Sequence, residues 1–230
     1  MKRISQLKDE GFNALEGQWM KSALVVLVLA LIYFLVYCVS NYRAVVTVEM
    51  LWNVIPWMVT YPHPVWSTVG MIVAILLIPL YYGFNVAMLQ IKRGGRAEVA
   101  VLFSGFKDYQ RVFLTDLLLM VYVFLWTLLL IIPGIIKYLS YSMTNYILKD
   151  RPELAYDAAI RESMRMMKGH KWKLFLLYLS FIGWLLLCQL TLGIGIFFFY
   201  PYVYVTEAAF YDNLKGELSL VTDELSPVDE

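Results

Sequence analysis

Histidine occurs only twice in the 230 residues, at His63 and His170, and cysteine only twice, at Cys38 and Cys188. Two histidines so far apart give no His-based triad or metal site, and neither cysteine has a partner at metal-ligand spacing. G-x-S-x-G, His-Glu-x-x-His and Walker-type glycine loops are absent too, so the common enzyme signatures have no carrier. No cofactor and no metal are expected. Charge is scarce: 16% of residues are charged, and 19 basic against 18 acidic side chains leave a formal net charge of +1. That balance gives no reason to expect nucleic acid as a partner. His63, between Pro62 and Pro64, reads as a loop residue; His170, among Lys168, Lys171 and Lys173, reads as part of a basic surface. Cys38 and Cys188 lie in apolar runs and read as free thiols acting as small hydrophobes.

What is abundant is apolar surface. Hydrophobic residues make up 60% of the chain, and the mean hydropathy is +0.64. They gather into runs of membrane-spanning length, which predicts an all-α polytopic bundle, one membrane domain over residues 1–214, and not a soluble core. The expected spans are about 22–39, 67–91, 113–132, 135–148, 174–188 and 194–211. The first apolar run has no small-residue cleavage site after it and reads as a retained helix.

The fourth span depends on an argument about charge. After Ile132 come Pro133 and Gly134, then a short stretch carrying Lys137, Tyr138, Tyr141 and Asn145. It is either the continuation of a long kinked helix or the return arm of a hairpin. Lys and Arg cluster in three segments: the N-terminus, Lys92 to Arg111, and Lys149 to Lys173. If all three are cytoplasmic, as the positive-inside bias requires, an even number of crossings separates them, and only a hairpin turning at Pro133-Gly134 achieves that. Both termini then lie inside, with residues 215–230 as an acidic cytoplasmic tail. The outer segment Asn41 to Trp66, with Trp52, Trp57, Trp66 and Tyr61, suits the headgroup level.

An internal repeat emerges. Each pair of crossings is preceded by an amphipathic helix ending at a glycine and an aromatic residue. In the first copy the apolar face is Ile4, Leu7, Gly11, Ala14 and Leu15, before Gly17 and Trp19. In the second it is Val99, Leu102, Phe103 and Phe106, with Gly105 and Tyr109. In the third it is Tyr156, Ala159, Ile160 and Met167, before Gly169 and Trp172, with Pro152 suited to the first turn. Each such helix is expected to rest on the inner leaflet.

In the third copy Ala158-Ala159, Ser163, Met167 to Gly169, Phe175, Leu179 to Phe181, Trp184, Thr191 to Gly195, Pro201-Tyr202 and Phe210-Tyr211 resemble the bacterial integral membrane family catalogued as domain of unknown function 975. That family is distantly similar to the membrane portion attached to some glycerophosphodiester phosphodiesterases. The resemblance implies a bacterial cytoplasmic membrane protein and supplies no catalytic residues.

Polar side chains inside spans are costly in hydrocarbon and are the default functional candidates. Asn85, Gln90, Asp116, Asn145 and Glu207 qualify, and the expected topology puts all five within roughly two turns of the cytoplasmic boundary. They either line a hydrated pocket opening inward, rimmed by Lys92, Arg93, Arg111 and Lys149, or reach the boundary or a neighbouring helix independently. The basic cluster has two readings as well. It is a topology signal alone, or Arg161, Arg165, Lys168, Lys171 and Lys173 also attract anionic lipid headgroups. Three function classes follow, in order: a non-enzymatic module that recognises lipid or a membrane partner, a second copy included; a small-molecule or lipid transporter with an inward-facing polar pocket; and a membrane-embedded lipid-modifying enzyme, for which Asp116 and Glu207 are the acid or base candidates.

Overall fold

The computed structural model describes residues 2–51, 64–191 and 193–225, and among these every regular element is helical. In chain order they are α1 (Ile4–Leu15), α2 (Trp19–Leu51), α3 (Pro64–Leu76), α4 (Pro79–Lys92), a 3-10 helix η1 (Val99–Phe106), α5 (Tyr109–Leu129), α6 (Ile131–Tyr141), α7 (Thr144–Asp150), α8 (Tyr156–Met166), α9 (Lys171–Leu179), α10 (Ile182–Leu190) and α11 (Ile196–Leu225). Four stretches are long and apolar enough to cross a bilayer: Trp19–Cys38, Thr68–Lys92, Tyr109–Leu129 and Lys171–Leu190. They correspond to the first, second, third and fifth expected spans. The other two expected spans fall on the α6–α7 arm and on α11, which holds Pro201 within it.

Helix ends differ from expectation where local chemistry decides them. The helix α2 continues to Leu51, past the expected end at Val39. The second span is interrupted just before Pro79, which lacks the N–H to continue α3 and instead opens α4 at its first position. The fifth breaks at Ser180, where Lys8 of α1 donates to the freed Ser180 carbonyl at 3.1 Å and lies 4.5 Å over the Phe181 ring. Trp52, Trp57, Tyr61 and His63 lie outside the described residues.

The chain does reverse between the third and fourth segments, but at Leu130 and not at Pro133-Gly134. Leu130 is extended, with φ −162° and ψ 142°, and Pro133 sits in the first turn of α6, where its missing N–H costs nothing. The arms run antiparallel. A Cβ on Gly134 would overlap Thr127, Lys137 lies 4.5 Å over the Trp126 ring, and Tyr122 and Tyr141 have ring centroids 6.4 Å apart.

The short helices preceding the spans dock on the bundle through small residues. In α1, Leu7, Gly11 and Leu15 are buried, and Gly11 lies against Thr206 of α11 so closely that a Cβ would meet the hydroxyl. In α8, Ala159, Ile160, Ser163 and Met166 are buried; Ser163 donates to the Ser140 carbonyl of α6 at 2.9 Å, and the Tyr156 N–H donates to Thr115 of α5 at 2.8 Å. Pro152 falls in the turn before α8 and not in its first helical turn, which begins at Tyr156. The middle element departs most from its expected stripe. As a 3-10 helix of three residues per turn it aligns Leu102 with Gly105 against α4, and turns Phe103 and Phe106 outward. Gly17 and Gly169 both take left-handed conformations, φ +74° and +85°, whereas Gly105 is needed for contact, since a Cβ there would sit 2.5 Å from the Pro79 carbonyl oxygen.

Packing is uneven along the bundle. At the end carrying Arg93, Asp150 and Asp212, two clusters centred on Leu7, Tyr146 and Phe210, and on Leu15, Met88 and Leu102, are fully buried. At the opposite end Leu128 to Ile132, Leu186 and Leu190 stand out from the protein as surface for acyl chains.

Candidate functional site

The charged end is held by one arginine. Arg93 caps α4 and presents its guanidinium to Asp150 at the end of α7 through two parallel bonds of 2.7 Å, and to Asp212 of α11 through a third of 2.7 Å. Lys215 donates to Asp150 at 2.6 Å, and the Tyr211 hydroxyl also donates to Asp150, at 3.2 Å. The forked, planar guanidinium suits this two-carboxylate grip. Burial pushes the Asp150 carboxyl up, but Arg93 and Lys215 outweigh it and hold it well below the usual carboxylate range. Nearby, Glu10 of α1 pairs with Lys2 and with Lys92 of α4, the latter at 3.1 Å. Arg111 donates to the Leu148 and Leu154 carbonyls at 3.3 and 3.0 Å. Of the cations expected at a pocket rim, Arg93 and Arg111 are therefore engaged in tying helices together.

The hairpin register brings two of the five candidate polar residues together. Asp116 lies eleven residues before Thr127 on α5, and Asn145 eleven after Gly134 on the return arm, so the contact at the turn repeats at their level. Asn145 stands beside the Asp116 carboxyl on the same cavity. Both are buried, and Asp116 Oδ2 and Asn145 Oδ1 have no hydrogen-bond partner. They form the polar floor of a cavity of about 650 Å³ whose walls are mostly apolar, from Ala74 and Ile78 round to Met120 and Phe124.

Glu207 lies in a separate cavity of about 210 Å³, which Tyr178 also lines. Tyr138 lines both cavities. A third space of about 500 Å³, between α2, α4, α10 and α11, shares Tyr33 and Tyr81 with the first and Tyr204 with the second. Asn85 is buried but donates to the Tyr81 carbonyl of its own helix at 2.9 Å, and Gln90 is half-buried without lining any of the three. The arrangement is thus a set of tyrosine-partitioned cavities, with Asp116 and Asn145 as one joined pair.

In the basic segment, Arg161 pairs with Asp157, and Arg165 with Glu162 at 2.7 Å. Arg151 shares Glu162 at 2.9 Å. Lys168 is exposed and Lys171 and Lys173 are half-buried, flanking Trp172, which is 68% exposed and stacked on Phe175 at 5.2 Å. Cys38 and Cys188 are free thiols. Among the described residues no three His, Cys, Asp or Glu side chains converge as metal ligands.

Sequence reasoning missed the Arg93 clamp. The available signal was a spacing: Asp150 follows Asn145 by five residues, as Asp212 follows Glu207.

No curated protein and no solved structure matches this chain, and the expected likeness to a phosphodiesterase membrane portion is not shown. One family does match, over residues 1–140 and again over 128–217, which together take in nearly the whole chain. The chain belongs to the family described as protein of unknown function DUF975.

Proposed function

We propose that this protein is a six-span, non-enzymatic module of a bacterial cytoplasmic membrane, with both termini on the cytoplasmic side, that works by holding a lipid-like molecule between its helices. One observation carries the reading: a cavity of about 650 Å³, walled by Ile78, Leu119, Met120, Val123 and Phe124, brings a carboxyl and an amide, Asp116 and Asn145, together among mostly apolar walls. The volume lies within the range of small-molecule sites, and apolar walls with a few convergent polar groups suit an amphiphile. Catalysis has less support, since Glu207 and Asp116 line different cavities, with Tyr138 between them.

The reading includes the threefold repeat. Gly17 and Gly169 turn the chain alike into α2 and α9, and Asp150 and Asp212 stand equivalently on two return arms. It also includes a headgroup contact at Lys168, Lys171 and Lys173, joined by Arg161 and Arg165, which are themselves exposed and can exchange Asp157 and Glu162 for lipid phosphate. Native mass spectrometry of the purified protein tests the main claim. Wild type is expected to retain bound lipid, and a Val123→Trp variant that fills the cavity to lose it. Equal lipid on both would overturn the reading.

A further inference from the structure

We infer that the cavity floored by Asp116 and Asn145 binds a single-chain amphiphile through a primary ammonium head group. The inference rests on the lipid-holding reading above and gives it a ligand chemistry.

The polar floor is short of donors. A carboxylate only accepts, and so does the carbonyl oxygen of Asn145. Asp116 Oδ2 and Asn145 Oδ1 are both buried, without a partner among the described residues. Two unsatisfied acceptors close together in an apolar surround are costly, and a group with at least two N–H donors meets both.

Among the described residues, those that line the cavity include no Lys or Arg, so a phosphate, sulfate or carboxylate head would face acceptors with no cation from them to receive it. A quaternary ammonium carries charge but no N–H. A primary ammonium carries three donors, and Tyr33, Tyr81 and Tyr138, which also line the cavity, are of the residue type that attracts cations. The remaining wall, from Leu119 to Phe124 on α5 and Ala74 to Ile78 beside it, accepts one alkyl chain. Glu207 does not make a second such site, because neither of its carboxyl oxygens is among the buried atoms without a partner and Tyr178 lines the same cavity.

The test is displacement of a fluorescent alkylammonium probe from the full-length protein in nanodiscs of zwitterionic phosphocholine lipid. Four competitors share one tetradecyl chain and differ in the head: primary ammonium, trimethylammonium, alcohol and sulfate. The primary amine is expected to compete roughly tenfold better than the other three on wild type, since charge-assisted hydrogen bonds distinguish it. Asp116→Asn, which keeps the shape, and Asn145→Ser should each bring it toward parity, and either variant that folds decides the matter. Equal competition by all four heads, abolished by Val123→Trp, would overturn the ammonium assignment while leaving a lipid cavity. Preference for the sulfate would overturn it also. Competition unchanged by Val123→Trp would remove both the assignment and the cavity reading.

Discussion

Arg93 and Asp150 meet through two parallel hydrogen bonds of 2.7 Å, joining the end of α4 to the end of α7, and the same guanidinium reaches Asp212 of α11. Three helices therefore share one cation. Arg93→Ala is expected to destabilise the protein by roughly 2 kcal/mol, below the roughly 3–5 kcal/mol of a fully buried pair, because Arg93 is 38% exposed and partly screened. Arg93→Lys should fall between, since an ammonium cannot reproduce the fork. Thermal unfolding in mild detergent measures both, and an Arg93→Lys variant as stable as wild type would show that the fork is immaterial.

The same clamp gives a pH dependence of known sign. The folded-state value of Asp150 is depressed, so its contribution is fully present above the ordinary carboxylate value near pH 4 and is lost as pH falls below it. The stability difference between wild type and Asp150→Asn should be constant from about pH 7 to pH 5 and shrink below about pH 4. A difference that grows on acidification contradicts the assignment.

Close helix contacts make a graded series of glycine variants. A Cβ at Gly83 would overlap the Leu102 backbone carbonyl, which cannot move aside, whereas at Gly11 it meets first the Thr206 hydroxyl. Gly83→Ala should therefore be the more damaging, and Thr206→Ala should partly rescue Gly11→Ala but not Gly83→Ala. Gly183 has open space around it, and Gly183→Ala should be neutral or slightly stabilising. Unfolding midpoints of the set provide the comparison.

For the proposed topology, reporters fused after Leu214 and near Lys92 should both read cytoplasmic, and one placed within Val45 to His63 should read external. An external reading after Leu214 removes the even number of crossings.

Anionic lipid should stabilise the purified protein more than zwitterionic lipid does. The triple variant Arg161→Gln, Arg165→Gln, Lys168→Gln should lose that preference. An unchanged preference leaves the segment as a topology signal alone.

The membrane bundle and four of its long apolar helices were legible because hydropathy integrates over a whole span. Contacts set by register were not. The pairing of Asp116 with Asn145 depends on the reversal falling at Leu130, and a search for breakers points three residues too far, to Pro133, because proline is also tolerated in a first turn. The stripe over Val99 to Phe106 failed for a related reason: a 3.6-residue period puts Phe103 and Phe106 inward, and the 3-10 winding does not. Arg93 was visible only as one more positive charge, because its partners stand 57 and 119 residues further along.

Those separations also set an order of assembly. When α4 emerges during synthesis, the acids that will neutralise Arg93 have yet to be made, and α1 waits longer still for Thr206 of α11 to receive Gly11. Individual helices can enter the bilayer early, but the locked arrangement cannot form until α11 arrives, in the manner of insertion followed by association. A nascent chain halted before Ile196 carries Arg93 with one carboxylate in place of two and α1 without its seat. Quality-control proteases acting on such intermediates would therefore read the absence of the last helix at both the first helix and the fourth.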